Sequence, residues 1–290
     1  MPNYIDLHGA DGWLGEFDLP TALYNGTTRF QIGKALKGGG NGIVFSAHQY
    51  LSGKLERACA VKFLRRLDDQ RRDRFNNEIR IAKLLHHPNI ATCFGEGTTQ
   101  IGGHSVPWMS QQAGGRNLRE TVFGQGKIAP DLLKIIAGQM CLAVAHLHEH
   151  GFIHRDIKPD NFVWGEIGQF KEVMMIDLGI AKRMGEDVSG RPLDQFTRSM
   201  EFVGPVFYSS PELIEYARDK SVIVDERSDI FQLGKTLWFL ATSKISAGIP
   251  SRTNCPFGGK FADLIMETIQ DDPAARPPSA HELAKRLAEL

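Results

Sequence analysis

Residues 154–161 read HRDIKPDN and concentrate polar and charged side chains in a short stretch. Asp156 and Asn161 lie five positions apart, with Lys158 between them. A carboxylate, an ammonium and an amide at this spacing can orient a hydroxyl group, neutralise an anion and bind a hard cation such as Mg²⁺. Apolar segments flank the stretch on both sides. We therefore expect a polar loop that is anchored between two buried elements.

A second acidic position follows the apolar run MMI, where Asp177 stands before Leu178 and a glycine. A carboxylate at the end of a strand, next to a turn, suits a cation that prefers oxygen ligands. An isolated Asp-Leu-Gly is usually only a turn, so the position gains meaning from its order after Asp156 and Asn161.

Upstream, the segment LKGGGNGIVF contains Gly39 and Gly42 between two expected strands. Glycines there let backbone N–H groups approach an anion, although a flexible hairpin has the same composition. Lys62 lies in the apolar segment CAVKFL, where it is either an edge residue or a buried ammonium. Glu78, 16 residues later, is the candidate partner for a buried Lys62.

The composition restricts the class of protein. The chain has 290 residues with a formal net charge of zero, which gives no reason to expect a nucleic-acid partner. Its four cysteines show no C-x-x-C spacing, which favours a reducing, cytoplasmic compartment. No uninterrupted apolar run approaches the length of about 18 residues that a membrane span needs, so we expect none.

Periodicity predicts a β-rich part followed by a helical part. Residues 1–28 are expected to be irregular, and turn signals at 37–42 and 52–54 predict three strands from Phe30 to Leu64. Two further strands are expected near 90–96 and 105–109. Helices are predicted at 68–85, from Pro130 to His150, and at 211–218, 228–242, 260–269 and 279–289. The glycine pair Gly114–Gly115 marks a hinge or boundary.

The ordered set of glycine-rich turn, Lys62, Glu78, HRDIKPDN and Asp177-Leu178-Gly supplies the parts that phosphoryl transfer requires. In order and spacing the chain resembles eukaryotic-type (Hanks-type) Ser/Thr protein kinases over residues 29–290. The resemblance implies an α+β, bilobal protein-kinase-like fold, with an extension at 1–28, a small lobe at 29–109, and a hinge and larger lobe at 110–290.

The resemblance also implies an activity and its site. Asp156 would be the catalytic base and Lys158 would neutralise developing charge. Asn161 and Asp177 would hold Mg²⁺, with Mn²⁺ as the alternative metal. ATP would contact Leu36, Gly39, Gly42, Val44, Ala60, Lys62, Glu78, Met109 and Val163. The expected partner is a protein substrate phosphorylated on Ser or Thr, with the chain itself included.

Other residues have implied structural or regulatory roles. His154 would belong to the core, Glu212 would pair with Arg276, and buried Asp229 would brace the 154–161 loop. Arg155 and Lys182 match a pocket that binds a phosphate in many relatives. Two alternatives stay open for that pocket: Glu201 supplies a permanent negative charge, or Thr197 or Ser199 is phosphorylated.

The chain departs from the family pattern at several positions. Lys37 replaces the first glycine of the glycine-rich loop, Leu178 replaces a phenylalanine, and Pro205 replaces a threonine. Lys37 and Pro205 leave open a pseudokinase that only binds or scaffolds. A small-molecule kinase on a related fold is a further alternative. His146 and His150 could bind a metal on a helix face, but a cationic helix end explains them without a third ligand.

Overall fold

The computed structural model describes residues 4–38, 42–167, 170–178, 181–183, 206–257 and 259–290. They form two compact units. One contains the described residues up to His86 together with Ala91–Gly114, and the other contains His87–Ile90 and Gly115–Leu290. The change of unit at Gly114 and Gly115 coincides with the glycine pair in the sequence. The predicted α+β class, with a β-rich part before a helical part, is confirmed.

The first unit contains eight strands and one helix among the described residues. The hairpin of β1 (Tyr4–His8) and β2 (Leu14–Asp18) forms a two-stranded sheet of its own. The other six strands form one antiparallel sheet in the order β3-β4-β5-β6-β8-β7. The sheet strands are β3 (Ala22–Asn25), β4 (Thr28–Gly38), β5 (Gly42–Leu51), β6 (Lys54–Leu64), β7 (Cys93–Ile101) and β8 (His104–Gln112). Helix α1 spans Asp69–Leu84.

The turns and the helix of this unit follow from local sequence. Ser52 and Gly53 both have positive φ between β5 and β6, as the SGK turn signal requires. Helix α1 begins where the Asp68 side chain accepts a hydrogen bond from the backbone N–H of Arg71. Its buried side chains include Phe75, Ile79 and Ala82 at helical spacing, as predicted.

The expectation of irregular structure before residue 29 is wrong for residues 4–25, which form β1, β2 and β3. In β1 the exposed, buried, half-exposed alternation of Tyr4-Ile5-Asp6-Leu7-His8 has the period of a strand. An alternation over only five residues is too short to predict a strand among the surrounding glycine and aspartate residues. Pairing with β2 and burial of Ile5 and Leu7 decide the conformation.

The second unit is mainly helical. Its helices among the described residues are α2 (Leu118–Gln125), α3 (Pro130–Glu149), α4 (Pro211–Arg218), α5 (Arg227–Thr242), α6 (Gly259–Thr268) and α7 (Ala280–Ala288). Two short antiparallel pairs join β9 (Phe152–Ile153) to β12 (Lys182–Arg183) and β10 (Phe162–Ile167) to β11 (Phe170–Met175). Five of these helices were predicted, and α2 was missed.

Helix α3 positions the loop that follows it. Pro130 occupies its first turn, and Gly151, with φ 80°, terminates it just before β9. By length and composition this helix, alone among those in the described part of the chain, could cross a membrane. Half of its most apolar 18-residue stretch is buried within the protein, and a core helix can have the same length and composition. Leu133, Ile136 and Met140 are fully buried, which fits a core helix.

Candidate functional site

In the first unit, Lys62 and Glu78 form a buried ion pair. Strand β6 carries the lysine and helix α1 carries the glutamate, and Lys62 Nζ lies 2.6 Å from Glu78 Oε1. The side chains are 16% and 5% exposed. A pair this deeply buried is costly to break, about 3–5 kcal/mol when one partner is removed, because the other charge stays desolvated. The ammonium is therefore held in one position in the interior of the unit.

The residues predicted to contact adenine in this unit share a sheet face with Lys62. Val44 and Met109 stand opposite Lys62 on the two neighbouring strands, and Ala60 lies two positions before it on β6. Opposite residues of an antiparallel pair, and residues two apart, point to the same face. Leu36, on β4, is half exposed.

Gly42 lies beside the Lys62 side chain. A Cβ atom at this position would be 3.3 Å from Lys62 Cε and 3.1 Å from the carbonyl oxygen of Phe63. A larger residue would therefore press on the ammonium-bearing side chain. The other predicted loop glycine, Gly39, lies outside the described residues.

In the second unit, the 154–161 loop brings its polar side chains together. Lys158 Nζ donates to Asp156 Oδ2 at 2.6 Å. The Asn161 side-chain amide donates to the same carboxylate oxygen at 3.1 Å and to the Asp156 carbonyl at 2.8 Å. Burial by itself lowers the pKa of Lys158, but the nearby Asp156 and Asp177 carboxylates outweigh it and raise that pKa. Lys158 therefore carries its positive charge at neutral pH.

Asp177 is fixed next to this loop by the backbone. The N–H of Ile176 donates to the Asn161 carbonyl at 2.8 Å, so the strand end that precedes Asp177 is tied to the loop. Asp177 has φ 65°, an uncommon conformation for a residue with a side chain. Arg155, beside the other acidic position, has φ 68°. Such backbone strain persists where surrounding contacts enforce it and is concentrated at functional sites.

Asp229 enforces the strained backbone of the loop. It is completely buried on α5 and accepts hydrogen bonds from the backbone N–H groups of His154 at 2.7 Å and Arg155 at 2.8 Å. The His148 ring donates to the same carboxylate at 2.8 Å. Burial alone would raise the pKa of Asp229, but the His148 bond and the other donors lower it. The carboxylate therefore stays ionised and holds the loop from behind.

Gln232 completes this support and was missed by the sequence analysis. Its side chain accepts from the N–H of Ile157 at 2.8 Å and donates to the carbonyl of Arg155 at 2.9 Å. Gln232 lies three residues after Asp229, so both side chains leave the same face of α5. The position of Gln232, three residues after the predicted buried Asp229, could have indicated that its amide supports the same loop.

The predicted pair of Glu212 and Arg276 is present. The guanidinium donates to both carboxylate oxygens, at 2.7 and 2.9 Å, and the Arg276 side chain is fully buried. It also donates to the backbone carbonyls of Arg227, Gln270 and Asp271. This arginine therefore links α4, the start of α5 and the segment before α7.

The ion pair of Arg119 with Asp160 was not predicted. Arg119, on the missed helix α2, donates to Asp160 Oδ2 at 2.6 Å and to the Tyr208 hydroxyl at 3.4 Å. Helix α2 has only eight residues, too few for a clear apolar period. Its start could have been found from Asn117, which accepts from the N–H of Glu120 as an N-cap.

The regulatory candidates are only partly described. Arg155 is 8% exposed, its guanidinium lies 5.7 Å from the Tyr216 ring centre, and its Nε has no hydrogen-bond partner among the described residues. Burial lowers the pKa of Arg155. The backbone of Lys182, in β12, pairs with that of Ile153, in β9. The predicted positions Glu201, Thr197, Ser199 and Pro205 lie outside the described residues.

The remaining candidates have structural surroundings. His154 is fully buried, and its Nδ1 accepts from the N–H of Asp156 at 3.2 Å. Val163, on β10, is buried. The His150 ring donates to the His146 carbonyl at 2.8 Å, which satisfies the end of α3. The described residues contain no cluster of three or more metal-binding side chains of the His, Cys, Asp or Glu type.

Comparison with known proteins identifies the family. The family model described as "Protein kinase domain" matches residues 30–255. A probable serine/threonine-protein kinase of Corynebacterium efficiens is 32% identical over 257 residues, which cover 87% of this chain and 35% of that protein. The serine/threonine-protein kinase PknB of Mycolicibacterium smegmatis is 32% identical over 285 residues, which cover 90% and 43%. The chain thus spans less than half the length of these relatives. It belongs to the protein kinase family, in the Hanks-type serine/threonine group.

Proposed function

We propose that this chain transfers the γ-phosphoryl group of ATP to serine or threonine hydroxyls of protein substrates, itself included. The observation that carries the proposal is the 154–161 loop, where Lys158 and Asn161 both donate to one carboxylate oxygen of Asp156. Buried Asp229 holds the backbone behind them. The family and the serine/threonine kinase names of the relatives support the same activity.

In this proposal Asp156 accepts a hydrogen bond from the substrate hydroxyl, orients it, and takes up its proton. Lys158 lies beside that carboxylate and supplies positive charge where negative charge develops. Because its pKa is raised by Asp156 and Asp177, it keeps that charge at the pH of the reaction. Positioning and electrostatics account for most of the catalysis in phosphoryl transfer, so a rigid loop of this kind is what the reaction needs.

The residues present fit the binding of ATP and a divalent cation. Lys62 is fixed by Glu78 and would pair with phosphate oxygens, and Gly42 leaves room beside the lysine that a Cβ would fill. Val44, Ala60, Met109 and Val163, with Leu36 and Gly39, would contact the remainder of the nucleotide. Asn161 and Asp177 offer oxygen ligands for Mg²⁺, with Mn²⁺ as the alternative. A bound cation would neutralise charge on the phosphates.

We also propose that Glu201 supplies the negative charge that Arg155 pairs with, so that this segment needs no phosphate at Thr197 or Ser199. The supporting observation is that Arg155 is buried and its Nε has no described hydrogen-bond partner. Replacing Glu201 by Ala should reduce the turnover of enzyme that carries no phosphate on this segment. Unchanged turnover would refute this role, and phosphate on Thr197 or Ser199 of active enzyme would favour the alternative.

We also propose that this chain works in a reducing, cytoplasmic compartment. All four cysteines, at 59, 93, 141 and 255, are free. This supports a reducing, cytoplasmic compartment.

The test is transfer of labelled phosphate from Mg-ATP, with mass spectrometry of the products to identify the modified hydroxyls. Asp156→Asn, Lys62→Met and Asp177→Ala should each lower the rate by a factor of about 10² to 10⁴. Lys54→Met, an exposed lysine at the start of β6, is the matched control and should leave the rate unchanged. If the unaltered chain binds nucleotide but transfers no phosphate, it is a binding module and the proposed activity is wrong.

A further inference from the structure

The hairpin of β1 and β2 lies outside the family match at residues 30–255, yet it is built as a specific part of the first unit. Ile5 and Leu7 are fully buried, whereas Tyr4 and Leu14 are about half and two-thirds exposed. A hairpin of five-residue strands is marginal by itself in water. Its buried face therefore depends on the rest of the unit.

One attachment of the hairpin is to the link 65–68, which joins β6 to α1. The N–H of His8 donates to the Arg65 carbonyl at 2.9 Å, and the N–H of Leu67 donates to the His8 carbonyl at 2.9 Å. His8 and Arg66 form a parallel β-bridge. The Arg65 guanidinium also pairs with the Asp6 carboxylate. Backbone and side-chain contacts thus fix the same few residues.

The second attachment is to the turn between β7 and β8. The Trp13 ring stacks on His104 at 4.2 Å, and Phe17 meets the same imidazole edge-on at 5.6 Å. A Cβ on Gly102 would be only 2.1 Å from the Phe17 ring, so Phe17 packs directly on the backbone there. The hairpin is thus attached to two separate parts of the first unit, the link 65–68 and the turn between β7 and β8.

The link joins the strand that carries Lys62 to the helix that carries Glu78. Lys62 lies three residues before Arg65, and Glu78 lies on the helix that Asp68 caps immediately after the link. Arg72, in the first turns of α1, donates to the carbonyls of Leu67 at 3.0 Å and Ser105 at 2.8 Å. A displacement of the link therefore displaces the start of α1 and the Glu78 carboxylate relative to Lys62.

We propose that the hairpin of β1 and β2 holds the link 65–68 in place and thereby positions the Lys62–Glu78 pair, so that the buried Leu7 is a positioning residue for phosphoryl transfer. The proposal rests on the proposed function for its effect on turnover. Its effect on the geometry of α1 is independent of that function.

The experiment compares the full chain with Leu7→Ala, with Leu7→Met as the conservative variant and Leu14→Ala as the exposed control on the same hairpin. Hydrogen exchange is followed in α1 and, as an internal reference, in α3 of the other unit. Labelling of Lys62 by an amine reagent reports its accessibility. The kcat and the KM for ATP are measured on the same preparations.

We expect Leu7→Ala to speed exchange in α1 and labelling of Lys62 while exchange in α3 stays unchanged. The KM for ATP should rise and kcat should fall, with kcat/KM reduced about ten-fold or more, since small misplacements of positioning groups are costly. Loss of folded protein alone would lower the apparent kcat without raising the KM. Leu7→Met and Leu14→Ala should behave like the unaltered chain.

Unchanged exchange in α1, or an unchanged KM for ATP in active Leu7→Ala enzyme, would overturn the proposal. If Leu7→Ala also loses protection in α3, Leu7→Val takes its place with the same expected and contrary results. If the unaltered chain transfers no phosphate, the proposed function fails, and α1 exchange with Lys62 labelling still decides whether the hairpin holds the link in place.

Discussion

Replacing Asp229 by Asn is a direct test of how the 154–161 loop is held. The carboxylate accepts three hydrogen bonds, from the N–H of His154 and the His148 ring at Oδ2 and from the N–H of Arg155 at Oδ1. An asparagine can keep its oxygen at the Oδ2 position, where two donors converge. Its NH₂ group then faces the N–H of Arg155, so one bond is lost and a buried donor is left unpaired.

The cost follows from these three contacts. A hydrogen bond to a charged acceptor contributes about 1.5–3 kcal/mol, and the two retained bonds become neutral and roughly half as strong. We therefore expect Asp229→Asn to lower the free energy of unfolding by about 3–5 kcal/mol, as for other broken buried charge networks. Because Arg155 holds a strained φ of 68° next to Asp156, turnover should fall by about 10² even in folded enzyme.

The assay is urea denaturation combined with phosphate transfer, with Asp271→Asn, an exposed carboxylate of the same unit, as the control. The pKa of Asp229 is lowered in the folded protein, so its stabilising contribution is present above the usual Asp pKa of about 4 and is lost as pH falls through the lowered value. The difference in the free energy of unfolding between the unaltered chain and Asp229→Asn should therefore shrink below about pH 4. An unchanged urea midpoint and normal turnover for Asp229→Asn would refute the bracing role.

The other predictions concern stability and use the same denaturation measurements. Gly138→Ala on α3 should stabilise the protein by about 0.5–1 kcal/mol, because a Cβ there meets no described atom within 4 Å; a loss of stability would contradict this. Gly234→Ala on α5 should instead destabilise it by about 1–3 kcal/mol, since its Cβ would be 1.9 Å from Thr268 Oγ1, and a neutral result would show that the site can relax. Burial lowers the pKa of Lys235 to about 8. The free energy of unfolding should therefore rise between pH 8 and the ordinary lysine pKa near 10.5, because the unfolded chain binds the proton more tightly there. That rise should be absent in Lys235→Met, and identical pH profiles would exclude Lys235 as its source. Arg276→Lys should cost about 3 kcal/mol or more, because a lysine cannot reproduce the bidentate pair, and a midpoint equal to that of the unaltered chain would refute this.

The composition of the candidate site could be predicted because its residues are close together in sequence or follow strong local patterns. HRDIKPDN places three polar groups within one loop, whatever the rest of the chain does. Lys62 and Glu78 were recognised as partners because one lies in an apolar strand and the other on the following amphipathic helix. Long helices such as α3 and α5 were found because their apolar period extends over several turns.

The features that were missed depend on contacts between distant parts of the chain. Arg119 on the short helix α2 meets Asp160, which is 41 residues away, and Gln232 meets the loop at Ile157, which is 75 residues away. Neither separation has a local signature. The hairpin of β1 and β2 likewise takes its structure from burial of Ile5 and Leu7 against the rest of the first unit.

By itself, the sequence determined which chemical groups the chain carries and in what order, because residue type and local period are written along the backbone. The tertiary structure decided which of those groups are held rigidly and by what. Asp229 fixes the loop, and the early hairpin fixes the link between β6 and α1. The physical reason is that hydrogen bonding and burial act between residues that are close in space, and closeness in space is set only when the whole unit folds.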